Sequence, residues 1–425
     1  MAHQGLFGAP ISENSVFAVL QSYPQRAIEF WRSFVGFKNT GLAIIACAML
    51  YAAILRTLGN TKVSTASLLV GAVVLAFGLY SHKTFTANSP SLVLISQSIE
   101  SYEKEIDEFE AVNQNRQLQA SSVVQDQKHE NNLSIFIIGE SVNKNHLSAY
   151  GYPRRTTPQA DEKIASGELL RFTQAYSNHT HSNSTLSFML TAANQYNAKK
   201  WVNAASILNI ASLADTKTTW LSNHRMLGGW SNNITVLTKE ADYVQTINSK
   251  IGRGNASTAY DEALLPLLAE SIEENPSQAV FLHFYNSHVD YCQRYPSTFD
   301  SFEGSIASHQ FGRRATIRKT NSRNLKCYDN TILYTDQLLA KLWSQFETSS
   351  QPTVISYIAD HAEEVFDTKA HNSAIFDYEM TEIPLLIWAN TAWKEQHAMG
   401  SANQQSTKSI HQRSFFRDHA RLARN

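Results

Sequence analysis

The chain has 425 residues, with 36 Lys+Arg against 37 Asp+Glu and a formal net charge of -1. Hydrophobic residues make up 43% and charged residues 17%, which excludes a disordered chain, since disorder needs low hydrophobicity and high net charge. Without a basic excess to neutralise phosphates, a nucleic-acid partner is also excluded. The three cysteines are too few for a scaffold built on disulfides.

Two apolar runs near the N-terminus predict transmembrane helices at residues 39–56 and 63–82. A spanning helix needs about 20 mostly apolar residues, and neither run has the polar stripe of a soluble amphipathic helix. The alternative is a pair of buried core helices. The short connection between the runs, Arg56 to Lys62, carries two positive charges and no negative one, so we expect it in the cytoplasm with both flanks outside.

The rest of the chain predicts a linker followed by a folded domain. Residues 1–83 form the predicted membrane segment, residues 84–130 an amphipathic region with a tether rich in Gln, Asn and Ser, and residues 131–425 the domain. Continuous apolar runs predict buried strands at Leu133–Ile138, Val280–Phe284, Val354–Ile358 and Pro384–Trp388, with helices at Asp261–Glu274 and Asp329–Phe346. This alternation predicts an α/β fold with a mainly parallel sheet covered by helices on both faces.

Polar side chains follow three of the predicted strands. Glu140 follows the first strand, His288 follows the second, and Asp360-His361 follows the third, with His371 further along. Because sites in open α/β sheets form beyond the carboxyl ends of the strands, we expect these groups to meet. Mixed nitrogen and oxygen ligands suit zinc or manganese better than calcium. Taken singly, each residue could instead be a helix cap or a hydrogen-bonded structural histidine.

A hydroxyl-rich segment, Ser177 to Thr191, leads into an apolar helical stretch. A Ser or Thr at a helix N-terminus lies where backbone N–H groups and the macrodipole favour negative charge. Beside a zinc ion, such a hydroxyl loses its proton more easily and becomes a nucleophile. The alternative is a Ser/Thr-rich loop that only caps the helix.

Ten motifs in order give the chain a family resemblance. They are Ile138–Ser141, His146–Tyr152, Arg155–Pro158, Trp220–Asn223, Ser287-His288, Tyr328–Asn330, Tyr334–Asp336, Asp360–Glu363, His371 and Ile383–Trp388. On these motifs residues 130–390 resemble the bacterial phosphoethanolamine transferases, membrane-anchored members of the alkaline phosphatase/sulfatase superfamily. The His181-Ser182 pair resembles the branch that modifies the lipopolysaccharide core.

The resemblance implies a zinc site and a nucleophile. Carried over by motif, Glu140, Asp360 and His361 hold the catalytic zinc. Counting along the hydroxyl-rich motif places the nucleophile, itself a zinc ligand, at Ser182, with Thr180 as the rival.

Three further residues acquire roles from the same resemblance. His288 and His371 match positions that act on the phosphoryl group, bind substrate or hold a second zinc, and Asn223 falls in a substrate-contacting motif. Asn286 and Ala362 stand where the family has glycine.

The implied function is transfer of phosphoethanolamine from phosphatidylethanolamine to lipopolysaccharide core or lipid A through a covalent enzyme intermediate. The implied location is the bacterial inner membrane, with the catalytic domain of a monomer in the periplasm. Alternatives are a phosphodiesterase or sulfatase-type hydrolase, transfer to periplasmic glucans, or a membrane-tethered binding protein without activity. In an oxidising compartment Cys292 and Cys327 either form a disulfide or remain two thiols.

Overall fold

The computed structural model describes residues 100, 104, 107–109, 111, 113–121, 131–224, 233–247, 259–303, 322–366, 370–397 and 410–411. The chain divides into two compact units, Met1–Lys104 and Glu105–Asn425. The predicted transmembrane helices at 39–56 and 63–82 lie outside the described residues. Within the described part of the chain, no helix is both long and apolar enough to cross a membrane.

The second unit alternates helices and strands. The helices are α1 (Asn113–Ser121), α2 (Pro158–Ala165), α3 (Ser182–Met189), α4 (Ile207–Leu213), α5 (Asn233–Thr238), α6 (Leu264–Glu274), α7 (Ser322–Phe346) and α8 (Thr391–Gln396). The strands are β1 (Leu133–Gly139), β2 (Leu169–Arg171), β3 (Ala175–Tyr176), β4 (Lys217–Ser222), β5 (Tyr243–Thr246), β6 (Gln278–His283), β7 (Thr353–Ala359), β8 (Leu385–Ala389) and β9 (Ile410–His411).

Seven of these strands form one sheet in the order β2-β8-β7-β1-β6-β4-β5. The pairs from β7 through β1, β6 and β4 to β5 are parallel, while β8 runs antiparallel to both β7 and β2. Strands β6 and β7 are buried along their whole length, as expected for parallel strands covered on both faces. The predicted mainly parallel α/β fold is therefore confirmed.

Helix α7 extends further than the sequence pattern predicts. It has 25 residues and begins at Ser322, seven residues before the predicted start at Asp329. Its first two turns carry the buried side chains Leu325, Cys327 and Tyr328, so core packing continues the helix. Cys327 is disulfide-bonded to Cys292, which decides the alternative that the sequence left open.

The segment predicted as a polar tether contains a docked helix. In α1, Arg116 is buried and pairs with Glu240 at 2.7 Å. The same guanidinium donates to the carbonyl of Val202 and lies over the ring of Phe109, 3.5 Å from its centroid. One buried cation in a Gln-rich segment thus holds α1 against the domain.

The carboxyl ends of the central strands are closely packed. A Cβ on Gly139 would lie 2.7 Å from both Asn286 Oδ1 and Tyr357 Oη, so only glycine fits at the end of β1. Ser141 and Asn286 both lie in loops that follow strands, and both have a left-handed backbone, with φ of 60° and 39°. This conformation is unusual outside glycine but is tolerated by asparagine, which accounts for Asn286 at a family glycine position.

Candidate active site

The site is built where β1, β7 and the N-terminus of α3 meet. Ser182 is the first residue of α3, and its hydroxyl lies 2.9 Å from Oε2 and 3.2 Å from Oε1 of Glu140. It also lies 3.3 Å from Nε2 of His361. The structure therefore brings together one hydroxyl, one carboxylate and one imidazole predicted from separate parts of the sequence.

Asp360 and His361 directly follow β7 and complete this group. Oδ1 of Asp360 accepts backbone N–H bonds from Ser141 at 3.1 Å and from His361 at 2.6 Å. His361 Nδ1 lies 3.0 Å from the carbonyl oxygen of Ala362, which can only accept, so Nδ1 donates there. The other ring nitrogen, Nε2, faces Glu140 Oε1 at 3.3 Å and Asp360 Oδ2 at 3.6 Å.

This buried group sets two carboxylates against one imidazole, and their pKa values are shifted accordingly. Burial and the neighbouring Glu140 charge raise the pKa of Asp360 to about 7. Burial by itself would lower the pKa of His361, but Asp360 and Glu140 outweigh it and raise that pKa to about 10. Burial opposes ionisation of Glu140 as well, yet its pKa lies well below the usual range because of the hydrogen bond and charge of His361, then the charges of His288 and His224.

The donor set fits a divalent transition metal. One ligand atom each of Glu140, Asp360 and His361 lies within 4.8 Å of the others, and all three residues are buried. Two carboxylates and one imidazole supply the oxygen and nitrogen ligands that zinc accepts. A cation here would offset the crowding of two carboxylates that already raises the Asp360 pKa.

The two rival hydroxyls lie in different surroundings. Thr180 is buried and its Oγ1 contacts His181 Nδ1 at 2.9 Å. Ser182 keeps partial exposure and contacts Glu140 and His361. A nucleophile must reach both the activating groups and the substrate, so the geometry favours Ser182 over Thr180.

Both remaining histidines border the cluster. The ring of His371 lies 4.6 Å from that of His361 and 5.2 Å from that of His181. His288 stacks on Tyr285 at 4.7 Å and is close enough to Glu140 to lower its pKa. Both are partly exposed.

Asn223 has a different environment from the one that its motif suggests. It is buried, and its amide nitrogen donates to Asp261 Oδ1 at 2.8 Å and to the carbonyl of Ala259 at 2.9 Å. Asp261 also accepts the backbone N–H groups of Tyr285 and Asn286. In this structure the Asn223 amide therefore fixes the loops beyond β4 and β6.

The sequence argument missed three residues near the cluster. His224 Nε2 lies 3.9 Å from Glu140 Oε2, and His283 belongs to the same group of possible ligands. The buried Glu363 lies 3.6 Å from His371 Nδ1. The rule that sites form at the carboxyl ends of strands, which identified Glu140, could also have identified His283 and His224. His283 lies at the end of β6, and His224 lies just beyond β4.

Residues 132–423 match the sulfatase family, and the chain belongs to that family. A relative from Escherichia coli (strain K12), phosphoethanolamine transferase EptC, is 25% identical over 422 residues, covering 92% of this chain and 72% of its own. Phosphoethanolamine transferase EptA from Helicobacter pylori is 30% identical over 279 residues, covering 64% of this chain and 50% of its own. These relatives confirm the motif-based resemblance to phosphoethanolamine transferases.

Solved structures agree with the fold. The C-terminal periplasmic domain of EptC from Escherichia coli, in complex with Zn, superposes with a TM-score of 0.63 at 25% identity, covering 70% of this chain and 84% of that one. The integral membrane protein lipooligosaccharide phosphoethanolamine transferase A from Neisseria meningitidis gives a TM-score of 0.69 at 19% identity, covering 100% and 81%. The second likeness shows the fold alone.

Proposed function

We propose that this protein transfers phosphoethanolamine from phosphatidylethanolamine to a lipopolysaccharide core or lipid A hydroxyl, with Ser182 as the nucleophile. The observation that carries the proposal is the Ser182 hydroxyl, 2.9 Å from Glu140 and 3.3 Å from His361. It lies at a helix N-terminus, where developing negative charge is stabilised. The relatives named phosphoethanolamine transferases support the choice of transferred group.

Zinc is the metal that we propose for the site, held by Glu140, Ser182, Asp360 and His361. When bound, it supplies a Lewis acid for a phosphoryl oxygen and lowers the pKa of the serine hydroxyl. The ligand atoms of Glu140, Asp360 and His361 lie within 4.8 Å of one another, and the Zn complex of the Escherichia coli structure supports the assignment.

The protein's own groups perform the two displacements. In the first, Ser182 Oγ forms a bond to phosphorus and the bond from phosphorus to the diacylglycerol oxygen breaks. In the second, an acceptor hydroxyl attacks phosphorus, the bond to Oγ breaks and Ser182 is regenerated. His288 and His371, which border the cluster, exchange protons with the leaving and attacking oxygens.

Location follows from the substrates. We propose that residues 1–83 anchor the chain in the bacterial inner membrane through two helices, with a monomeric catalytic domain, residues 131–425, in the periplasm. The disulfide between Cys292 and Cys327 supports an oxidising compartment, and the two apolar runs at 39–56 and 63–82 support the anchor. Membrane attachment would present the site to a lipid donor.

The nucleophile is tested by trapping the covalent intermediate. The protein is incubated with phosphatidylethanolamine without acceptor, digested, and searched by mass spectrometry for a phosphoethanolamine adduct. We expect the adduct on Ser182, its loss in Ser182→Ala, and its retention in the matched variant Thr180→Ala. An adduct that survives in Ser182→Ala and disappears in Thr180→Ala would contradict the assignment.

The reaction class is tested by the dependence of diacylglycerol release on the acceptor. We expect release to rise when lipopolysaccharide is added and the acceptor to gain one phosphoethanolamine by mass. Equal release with and without acceptor identifies a hydrolase, and gain of mass on a periplasmic glucan identifies the other acceptor. Zinc-loaded protein that releases no diacylglycerol would indicate a binding protein.

A further inference from the structure

A second group of possible ligands lies on the other side of Glu140. It consists of Glu140, His224 and His283, which are all buried and offer one ligand atom each within 4.8 Å of one another. We propose that these three residues form a second site for a divalent transition-metal ion, sharing Glu140 with the Asp360–His361 site. The proposal goes beyond the transfer reaction and adds a metal that the reaction described above does not use.

The sheet order accounts for the shared carboxylate. Strand β1 lies between β7 and β6, and β4 is the next strand beyond β6. Asp360 follows β7 on one side of Glu140, whereas His283 ends β6 and His224 lies two residues beyond β4 on the other side. Glu140 Oε1 lies 3.3 Å from His361 Nε2, and Oε2 lies 3.9 Å from His224 Nε2. Each carboxylate oxygen therefore faces a different histidine.

A single hydroxyl positions both histidines. Ser222 Oγ accepts the backbone N–H of His224 at 3.0 Å and lies 3.2 Å from Nδ1 of His283. The serine oxygen has two lone pairs and can accept from both groups; in that arrangement Nδ1 of His283 carries the proton and Nε2 carries the lone pair that a metal needs. Metal-binding histidines are oriented in this way, through a hydrogen bond from the ring nitrogen that does not bind the metal.

The two imidazole rings stack against each other. The ring centroids of His224 and His283 are 3.9 Å apart and the rings are nearly parallel, with an interplanar angle of 10°. Neutral imidazole is the form that coordinates a metal. Two imidazoles and a carboxylate suit zinc and its first-row neighbours better than calcium or magnesium.

The second site is less preorganised than the first. His224 Nε2 contacts the carbonyl oxygen of Phe284 at 2.9 Å, and a metal bound through this nitrogen must replace that hydrogen bond. We therefore expect the Asp360–His361 site to fill first and the Glu140–His224–His283 site to fill second as the concentration of metal rises.

The experiment counts zinc ions per chain after equilibrium dialysis of the full chain at saturating zinc, with circular dichroism as the control for folding. We expect two ions in the unmodified chain, one in His283→Gln or His224→Gln, one in Asp360→Asn, and none in Asp360→Asn combined with His283→Gln. Substitution of cobalt for zinc gives an independent readout in the unmodified chain, as two successive sets of absorption bands.

The matched control is His371→Gln, which removes the rival ligand for a second ion. It should retain two ions. A single ion in the unmodified chain, or loss of the second ion in His371→Gln but in neither His224→Gln nor His283→Gln, would overturn the proposal. Because zinc is counted without substrate, this result is independent of whether the chain transfers phosphoethanolamine.

Discussion

Two clusters of this protein each contain a buried aspartate and a buried histidine but differ in how their charge is balanced. The strand-end cluster is Glu140, Ser182, Asp360 and His361, and the helix α7 cluster is His146, Tyr152, Arg154 and Asp329. In the helix α7 cluster one carboxylate, that of Asp329, receives three side chains: His146 at 2.9 Å, Tyr152 at 2.8 Å and Arg154 at 2.7 Å. In the strand-end cluster two carboxylates compete for one imidazole, that of His361.

In both clusters the aspartate and the histidine that it contacts are buried. What differs between the clusters is the balance of charge. The Arg154 guanidinium compensates Asp329 within the protein, as buried charges require. In the strand-end cluster, Glu140 adds to burial in raising the pKa of Asp360 to about 7, so a cation from outside would be stabilising. We infer that a surplus of buried carboxylates, more than the presence of histidines, distinguishes a metal site from a structural network.

The largest expected effect is that of Asp360→Asn. Removing one anionic ligand should abolish zinc binding at this site and lower transfer activity by about 10³-fold or more, while the fold is retained. Metal analysis and the diacylglycerol assay measure both quantities. Full activity in this variant, with zinc still bound at both sites, would show that Asp360 is not a zinc ligand.

The matched change in the helix α7 cluster is Asp329→Asn. It leaves the Arg154 side chain, 11% exposed, with a weaker partner, and breaking an ion pair that is largely buried costs up to about 3–5 kcal/mol of unfolding free energy. Urea denaturation should show this loss, and zinc stoichiometry should be unchanged. A variant of normal stability that loses zinc would assign Asp329 to the active site instead.

A smaller loss of stability is expected from removal of the disulfide. Cys292 and Cys327 are 35 residues apart in sequence, and closing a loop of that size stabilises a fold by about 2–4 kcal/mol. We expect Cys292→Ser combined with Cys327→Ser to lower the denaturation midpoint, because Cys327 anchors α7 two residues before Asp329. The zinc content should equal that of the unmodified chain. Loss of zinc would show that the disulfide also supports the strand-end cluster.

The last expected effect concerns pH and a further buried carboxylate, Asp336 of α7. Burial raises its pKa from 3.8 to about 7, against the lowering effect of N–H bonds from Gln159 and Ala160. The folded state then binds more protons than the unfolded state between those values, so this group makes stability fall as the pH rises from about 4 to 7, by at most about 1.4 kcal/mol per pH unit.

Asp336→Asn tests that dependence, because asparagine keeps a side-chain acceptor and does not ionise. Denaturation curves from pH 4 to 7 should lose this contribution to the slope in the variant. An identical slope in both proteins would show that the Asp336 carboxyl does not carry the pH dependence.

Much of the strand-end cluster could be predicted because it follows a simple rule. Apolar runs identify β1 and β7, and the polar residues directly after them, Glu140 and Asp360-His361, must meet at one sheet edge. The N-terminus of α3 was predictable from a hydroxyl-rich segment followed by apolar residues. The choice between Ser182 and Thr180 depends on burial and on contacts with Glu140, which local sequence does not encode.

The sequence by itself determined the α/β class, the four strands β1, β6, β7 and β8, and the polar residues Glu140, Asp360 and His361 that follow β1 and β7, since periodicity and residue chemistry are local properties. Only the tertiary structure decided that β8 runs antiparallel, that the polar segment around Arg116 is a docked helix, and that His224 and His283 lie beside Glu140. These features depend on strand order in the sheet and on which buried charges find partners. Both arise from contacts between residues far apart in the sequence.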